Sequence, residues 1–496
     1  MNISRPTTSK APHLLLAAFI ILAPLFRAGN TPLATLLLEL LAVAGLLVVW
    51  WDSERRMALG RFEMVLLAVL ALFPLLQLLP MPGFTRADLP GQADYFVALQ
   101  AAGVDQGAAT LSTIPRETLS GWLRLLIPIA VYLLTRATSV RNLRKVLTVM
   151  FVVAVAQAVL GLVQFGTSPS TVFYPIKDPM VGNALGTYVS RNNFVALMYL
   201  SLVLSLALFM GTLGRHKSKV SGDSFRERIQ YYASADGHRA FLYGAMALLL
   251  LLTIIFTRSR AGIMVTLLGV LLVSVVFSRR IGGSNVYGFT GTIVSGALGL
   301  SIAIGLSTVL DRFTISSPLS DGRWVIYDGA LTAIGQFFPL GAGTGTFRET
   351  FARFQDLSQA QYVINRAHNS YLEWIYNGGL VAIALIVGFL VIYVARWFSV
   401  WRRDEWGEFR YVQVGAGLGL LLMLLHDLVD YNLFIPANMV YFSFLAGLYL
   451  HPYKEPVKPE PRAKRKGGAA VPSETELRTV ALLPQVGKPE KNPFMD

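Results

Sequence analysis

Twelve runs of apolar residues divide this chain, near 13–29, 31–51, 62–82, 118–135, 146–166, 192–213, 240–257, 261–278, 288–310, 374–395, 410–425 and 436–452. About 20 apolar residues in a row are what a helix needs to cross a hydrocarbon core. In lipid the backbone must satisfy its own hydrogen bonds, which leaves only helices and closed barrels as spanning structures. These runs are continuous and do not alternate with polar residues, so the helix is selected. We therefore expect an all-α, polytopic membrane protein with about twelve transmembrane helices. The composition agrees: only 15% of residues are charged and 54% are hydrophobic, whereas a soluble domain carries about 25% charged residues. The first run, preceded by Arg5 and Lys10, has the look of a signal peptide. No small-residue cleavage site follows it and eleven more runs do, so we read it as a retained anchor.

Lysine and arginine are spread unevenly over the alternate connections. Counting from the N-terminus, one set holds 30 and the other 12, with Arg124 inside the fourth run completing the 43. Basic residues concentrate on the cytoplasmic side, so both termini are expected there, and an even number of spans gives the same answer. This accounts for the net charge of +14 without invoking nucleic acid. Residues 1–452 are read as the membrane domain. Residues 453–496 are rich in Pro, Lys and Glu and are expected to form a disordered cytoplasmic tail, whose Lys464-Arg465-Lys466 cluster reads as a solvated charge run.

Two long segments fall on the outer side. Residues 83–117 show no obvious motif. Residues 311–373, between the ninth and tenth runs, are expected to be partly helical. Asp321 suits a helix cap. Trp324, Tyr327, Leu331, Ile334 and Phe338 then follow at helical spacing, a face suited to the membrane interface, the top of the bundle or an extramembrane lid. Pro339 and Gly341-Ala342-Gly343-Thr344-Gly345 end that helix. The glycine run lacks the lysine of a phosphate loop and reads as a turn. A second short helix is expected over Phe347–Phe354, and a third from near His368 into the tenth span.

Arginine on the outer side runs against the charge bias. Arg191 opens the sixth run, and Arg258 and Arg260 occupy the short turn Thr257-Arg258-Ser259-Arg260-Ala261-Gly262, with no acidic residue in either segment. Guanidinium is always charged and meets phosphate oxygens in a bidentate fork. Three such groups at one depth look like a seat for an anionic lipid headgroup, most simply a pyrophosphate. Arg323 and Arg366 are further candidates for diphosphate or glycan contacts. Among six histidines, His368 lies just outside the membrane, ahead of the tenth run. An imidazole is mostly neutral at pH 7 and is free to accept a proton. His426 with Asp427 and Asp430 forms a weak metal motif. With no Cys and no Asp-x-Asp anywhere in the chain, we assign neither a metal site nor a cofactor.

The order of these motifs is similar to that of a known family. Arg191-Asn192-Asn193-Phe194 precedes Thr257-Arg258-Ser259-Arg260. A large outer loop follows with Arg323-Trp324, the Gly341–Phe347 turn, His368-Asn369-Ser370-Tyr371-Leu372-Glu373 and Gly378-Gly379. Together they resemble the O-antigen ligase and O-antigen polymerase superfamily of bacterial inner-membrane glycosyltransferases, most nearly a ligase, over roughly residues 185–395. One departure is Ala261-Gly262 where Gly-Ala is the expected order. The resemblance implies an undecaprenyl-diphosphate-linked glycan donor, a lipid A–core acceptor in the ligases, an active site facing the periplasm and chemistry without a metal. By motif match it places Arg191 and Arg260, with Arg258 less directly, on the diphosphate, and His368 near the acceptor hydroxyl. Asn369 becomes a possible glycan contact.

Three alternatives stay open. A polymerase of the same superfamily or a protein O-oligosaccharyltransferase shares every motif. A flippase or transporter would carry ionisable residues near the membrane midplane, where only Glu39 and Arg124 stand out.

Overall fold

The computed structural model describes residues 11–51, 59–104, 107–166, 182–217, 234–281, 283–304, 322–401 and 406–453. The expected tail beyond Tyr453, the capping Asp321 and residues 311–321 of the second long segment lie outside them.

The helices are α1 (Ala11–Leu22), α2 (Pro32–Trp51), α3 (Arg61–Leu78), α4 (Ala93–Ala101), α5 (Pro115–Ala137), α6 (Val140–Gly166), α7 (Arg191–Lys217), α8 (Ala235–Phe256), α9 (Arg260–Ile281), α10 (Gly283–Ile304), α11 (Arg323–Phe337), α12 (Ser370–Trp401), α13 (Glu408–His426) and α14 (Pro436–Leu450). Each of the twelve apolar runs contains a helix, and no strand occurs, among the described residues. Nine helices there are long and apolar enough to cross a membrane: α2, α3, α5 to α9, α12 and α13. The chain is an all-α, polytopic membrane protein. The remaining three runs correspond to the 12-residue α1, the 22-residue α10 and the 15-residue α14.

The centre of the bundle is α7, which is largely apolar on all sides and buried throughout Asn193–Leu213, as expected of a helix with no polar face. Small residues let its neighbours approach closely. Gly415 of α13 meets Ala207 and Leu204, and Gly262 of α9 leaves no room for a side chain beside Val195. That contact accounts for the order Ala261-Gly262, because glycine is needed at 262, where the two helices touch.

A cap forms at the bundle end where α7 begins. Its core is Ile326, Ala330, Ala333 and Phe337 of α11 together with Ala342, Phe347, Phe351, Ala367 and Tyr376. Trp324, Leu331 and Phe338, on the face read from the sequence as suited to the membrane interface, lie outside this core and are 54%, 56% and 46% exposed. Ile334 packs at the margin of the core. Ile326, Ala330, Ala333 and Phe337 on the adjoining face make the inward contact. The segment without a motif belongs to the same cap: Tyr95 of α4 donates to the Thr350 carbonyl at 2.9 Å, and Arg353 pairs with Asp94. The expected helix over Phe347–Phe354 is one α turn, Phe347–Thr350, continued as 3₁₀ over Phe351–Phe354.

The glycine run fits the cap onto α12. Ala342 and Gly343 donate backbone N–H groups to the carbonyls of Tyr376 and Asn377 at 2.8 and 3.0 Å. Gly341 has φ +80°, and a Cβ there would meet the Asn377 carbonyl at 2.6 Å. Within α12, Gly379 breaks the helix at φ +53°, and Leu380 N–H bonds the Pro339 carbonyl at 2.9 Å. The run is a structural turn that requires glycine for close backbone approach.

Candidate active site

Each arginine motif sits where a helix begins. Arg191 is the first residue of α7. Arg258 occupies the turn after α8, with φ +56°, and Arg260 opens α9. Ser259 caps α9 by accepting from Gly262 N–H at 3.2 Å, and its hydroxyl donates to Asn192 Oδ1 at 2.8 Å. That bond ties the two motifs, 67 residues apart, together. Arg191 and Arg258 also reach toward one strip of chain: Arg191 Nη1 donates to Asn183 Oδ1 at 3.2 Å and Arg258 Nη1 to the Gly182 carbonyl at 3.3 Å. Both of these partners are neutral, and neither arginine has an ion pair among the described residues.

The strip is held by amides of α6 and α8. Gln164 donates to the Gly186 carbonyl at 2.7 Å, Gln157 accepts from Thr187 N–H at 2.9 Å, and Ala184 N–H bonds the Phe256 carbonyl at 2.9 Å. Sequence reasoning passed over Gln157 and Gln164. The available signal was a glutamine recurring at i and i+7 inside an otherwise apolar run.

His368 immediately precedes α12. Its backbone is left-handed at φ +54°, its ring stands edge-on to Tyr431 with centroids 4.9 Å apart, and its carbonyl accepts from the Tyr327 hydroxyl at 2.8 Å. Asn369 caps α12, its carboxamide oxygen accepting from Tyr371 and Leu372 N–H at 3.0 and 3.1 Å. Ser370 N–H then bonds the Asp427 and Asp430 carbonyls at 2.9 and 3.1 Å. The connection between α13 and α14, residues 427–435, is thus the surface against which His368 is set.

The same connection meets the arginine motifs. Asn193 Nδ2 donates to Asn432 Oδ1 at 3.2 Å, and Asn438 Nδ2 donates both to Asn432 Oδ1 at 3.1 Å and to the Asn193 carbonyl at 3.0 Å. Asn432 N–H bonds Asp427 Oδ1 at 2.7 Å. The structure therefore gathers the Arg191, Arg258–Arg260 and His368 segments around one buried carboxamide cluster.

The other nominated residues have partners of their own. Arg323 donates to the Val429 carbonyl at 2.5 Å and lies 3.9 Å from Asp430. Arg366 pairs with the fully buried Glu373 at 2.6 Å and stacks over Phe434, 4.8 Å from the ring centre. His426, Asp427 and Asp430 are all buried. His426 Nδ1 lies 3.3 Å from the Tyr199 hydroxyl. Burial pushes the Asp427 carboxyl well above the usual carboxylate range, partly offset by its bonds from Asn432. Burial, and then Asp430, pushes the Tyr431 phenol up to about 12. Among the described residues no three His, Cys, Asp or Glu side chains are grouped to hold a metal ion.

Residues 245–387 match the family described as O-antigen ligase. The resemblance to the O-antigen ligase and polymerase superfamily is borne out. The O-antigen ligase match begins within α8, ends within α12, and includes Arg258, Arg260, Arg323, Arg366, His368 and Asn369. Arg191 lies before it and joins the group through the Asn192–Ser259 bond. No curated protein matches the chain.

Proposed function

We propose that this protein is an O-antigen ligase-type glycosyltransferase of the bacterial inner membrane. It moves a glycan from undecaprenyl diphosphate to a sugar of lipid A–core at the periplasmic face. The observation that carries this reading is the convergence of two arginine motifs and His368 on one buried cluster, with the family match over most of those residues.

Arg191, Arg258 and Arg260 would hold the donor diphosphate. Cations fixed in advance, where water is scarce, stabilise charge that develops on a leaving group. His368 would accept the proton of the acceptor hydroxyl. The acceptor oxygen bonds to the anomeric carbon as the bond from that carbon to the phosphate oxygen breaks. The proton passes to the imidazole, and the diphosphate leaves on its carrier with inversion at the anomeric centre. Arg366 remains a candidate glycan contact. Arg323 and Asn369 fit better as supports, one bracing the 427–435 connection and the other capping α12.

The test is transfer by the detergent-solubilised protein, given undecaprenyl-diphosphate-linked glycan and lipid A–core with EDTA present. Glycan is expected on lipid A–core, with loss of at least about a hundredfold in Arg191→Ala, Arg260→Ala and His368→Ala and unchanged gel-filtration behaviour. Wild-type turnover in the arginine variants would remove the diphosphate seat. Longer glycans still on the carrier would make the protein a polymerase. Lack of product with either acceptor would return it to the protein-acceptor and transporter readings.

A further inference from the structure

The chain reaches His368 through residues 363–367, which form no helix or strand, yet the His368 backbone is held at φ +54°. A left-handed residue with a side chain costs free energy and is kept only where its surroundings impose it. After His368 the restraints are plain. Asn369 caps α12, and Ser370 N–H is bonded to the Asp427 and Asp430 carbonyls. Before His368, Glu373 supplies them. Its Oε2 accepts from Ala367 N–H at 3.0 Å, and its Oε1 accepts from Arg366 Nη1 at 2.6 Å.

Glu373 closes the first turn of α12. Side chains on a helix lean toward its N-terminus, where the open N–H groups also favour a carboxylate. Its two oxygens therefore reach back past His368 and take hold of the two residues that precede it. Glu373 and Ala367 are both fully buried. Arg366 carries the restraint further, because its guanidinium lies over Phe434, 4.8 Å from the ring centre. Phe434 and Tyr431, whose ring meets the imidazole edge-on, belong to the same 427–435 connection. The backbone ahead of the imidazole and the ring beside it are thus fixed to one frame.

Stability alone is a poor reason for such a pair. Removing two charges from water offsets most of their attraction, and apolar residues packed in their place are often as stable. What the carboxylate does supply is geometry, since two acceptor oxygens fix a guanidinium and a backbone amide at once.

We propose that Glu373 is a positioning residue for His368, holding residues 366 and 367 so that the left-handed turn keeps the imidazole in place to take a proton. This rests on the reading of His368 as the proton acceptor, and it gives Arg366 a part that needs no glycan. A displacement of about 1 Å at a reacting group can cost about a hundredfold in rate.

Two variants of the full chain test this, by transfer kinetics and by amide hydrogen exchange. Glu373→Gln keeps the shape of the side chain but offers one acceptor oxygen to two donors. The double variant Arg366→Met/Glu373→Met removes both charges together and takes this acceptor from Ala367 N–H. In each, kcat per folded molecule should fall by about tenfold to a hundredfold, while KM for donor and acceptor stays within about twofold of the wild type. Exchange across residues 366–370 of the double variant should quicken by about tenfold or more, with that of α11 unchanged. A lower melting temperature with kcat per folded molecule intact would overturn the proposal, because the pair would then only stabilise. A raised KM with kcat preserved would overturn it too, by making Arg366 a glycan contact. The exchange measurement needs no substrate and separates the two readings. Lack of transfer by the wild type sinks the catalytic reading, whereas an active wild type with unchanged exchange and kcat in both variants sinks the positioning role alone.

Discussion

At Arg258 and His368 the backbone enters the left-handed region, which costs a non-glycine residue about 1–3 kcal/mol. Such strain persists only where neighbours fix it, and here both residues belong to motifs nominated for chemistry. His368→Gly should therefore fold at least as stably as the wild type while losing transfer, a separation that thermal melting and the transfer assay would show together. Asp427 behaves differently. A carboxyl whose folded pKa lies above its unfolded value near 3.9 keeps its proton in the native state. Its contribution to stability is present below that value and is lost as pH rises through the folded pKa. Asp427→Asn should remove this dependence, so the melting temperature should fall less between pH 5 and pH 8 than in the wild type. Asp427→Ala leaves the Asn432 N–H without an acceptor and should cost about 1–3 kcal/mol at either pH.

Among the elements, the spanning helices were legible in the sequence because one physical requirement, apolar length, defines them. The cap was not. Residues 83–117 have no sustained period since α4 is only nine residues long and its neighbours are turns. The exposed Trp324, Leu331 and Phe338 of α11 fit the membrane-interface reading of that face, while the contact with the cap core, made by Ile326, Ala330, Ala333 and Phe337, carried no separate signal in the pattern. The glycines were legible as a turn, but their partner was not, since it lies more than thirty residues downstream in α12. Gly379→Ala brings both left-handed strain and a clash with the Pro339 carbonyl. We expect a loss of about 3 kcal/mol or more, seen as a lower melting temperature and as faster proteolysis between α11 and α12.

Over the whole molecule, the site is assembled from four stretches of chain that only the fold brings together. Sequence order supplied the motifs but could not show that Asn192 meets Ser259 or that Asn193 meets Asn432, because each of these pairs is separated by more than sixty residues. Asn193→Ala and Asn432→Ala should each reduce transfer. Their effects on stability should be non-additive by about 0.5–3 kcal/mol in a double-mutant cycle, and simple additivity would show that the two segments are held by something else. The joints themselves are carboxamides and a hydroxyl. Groups of that kind neither titrate nor attract counter-ions, so these joints themselves should hold across acid, alkali and salt. Where these joints hold, the response of the site to its medium falls to its ionisable members, the buried Asp427 that accepts from Asn432 N–H among them.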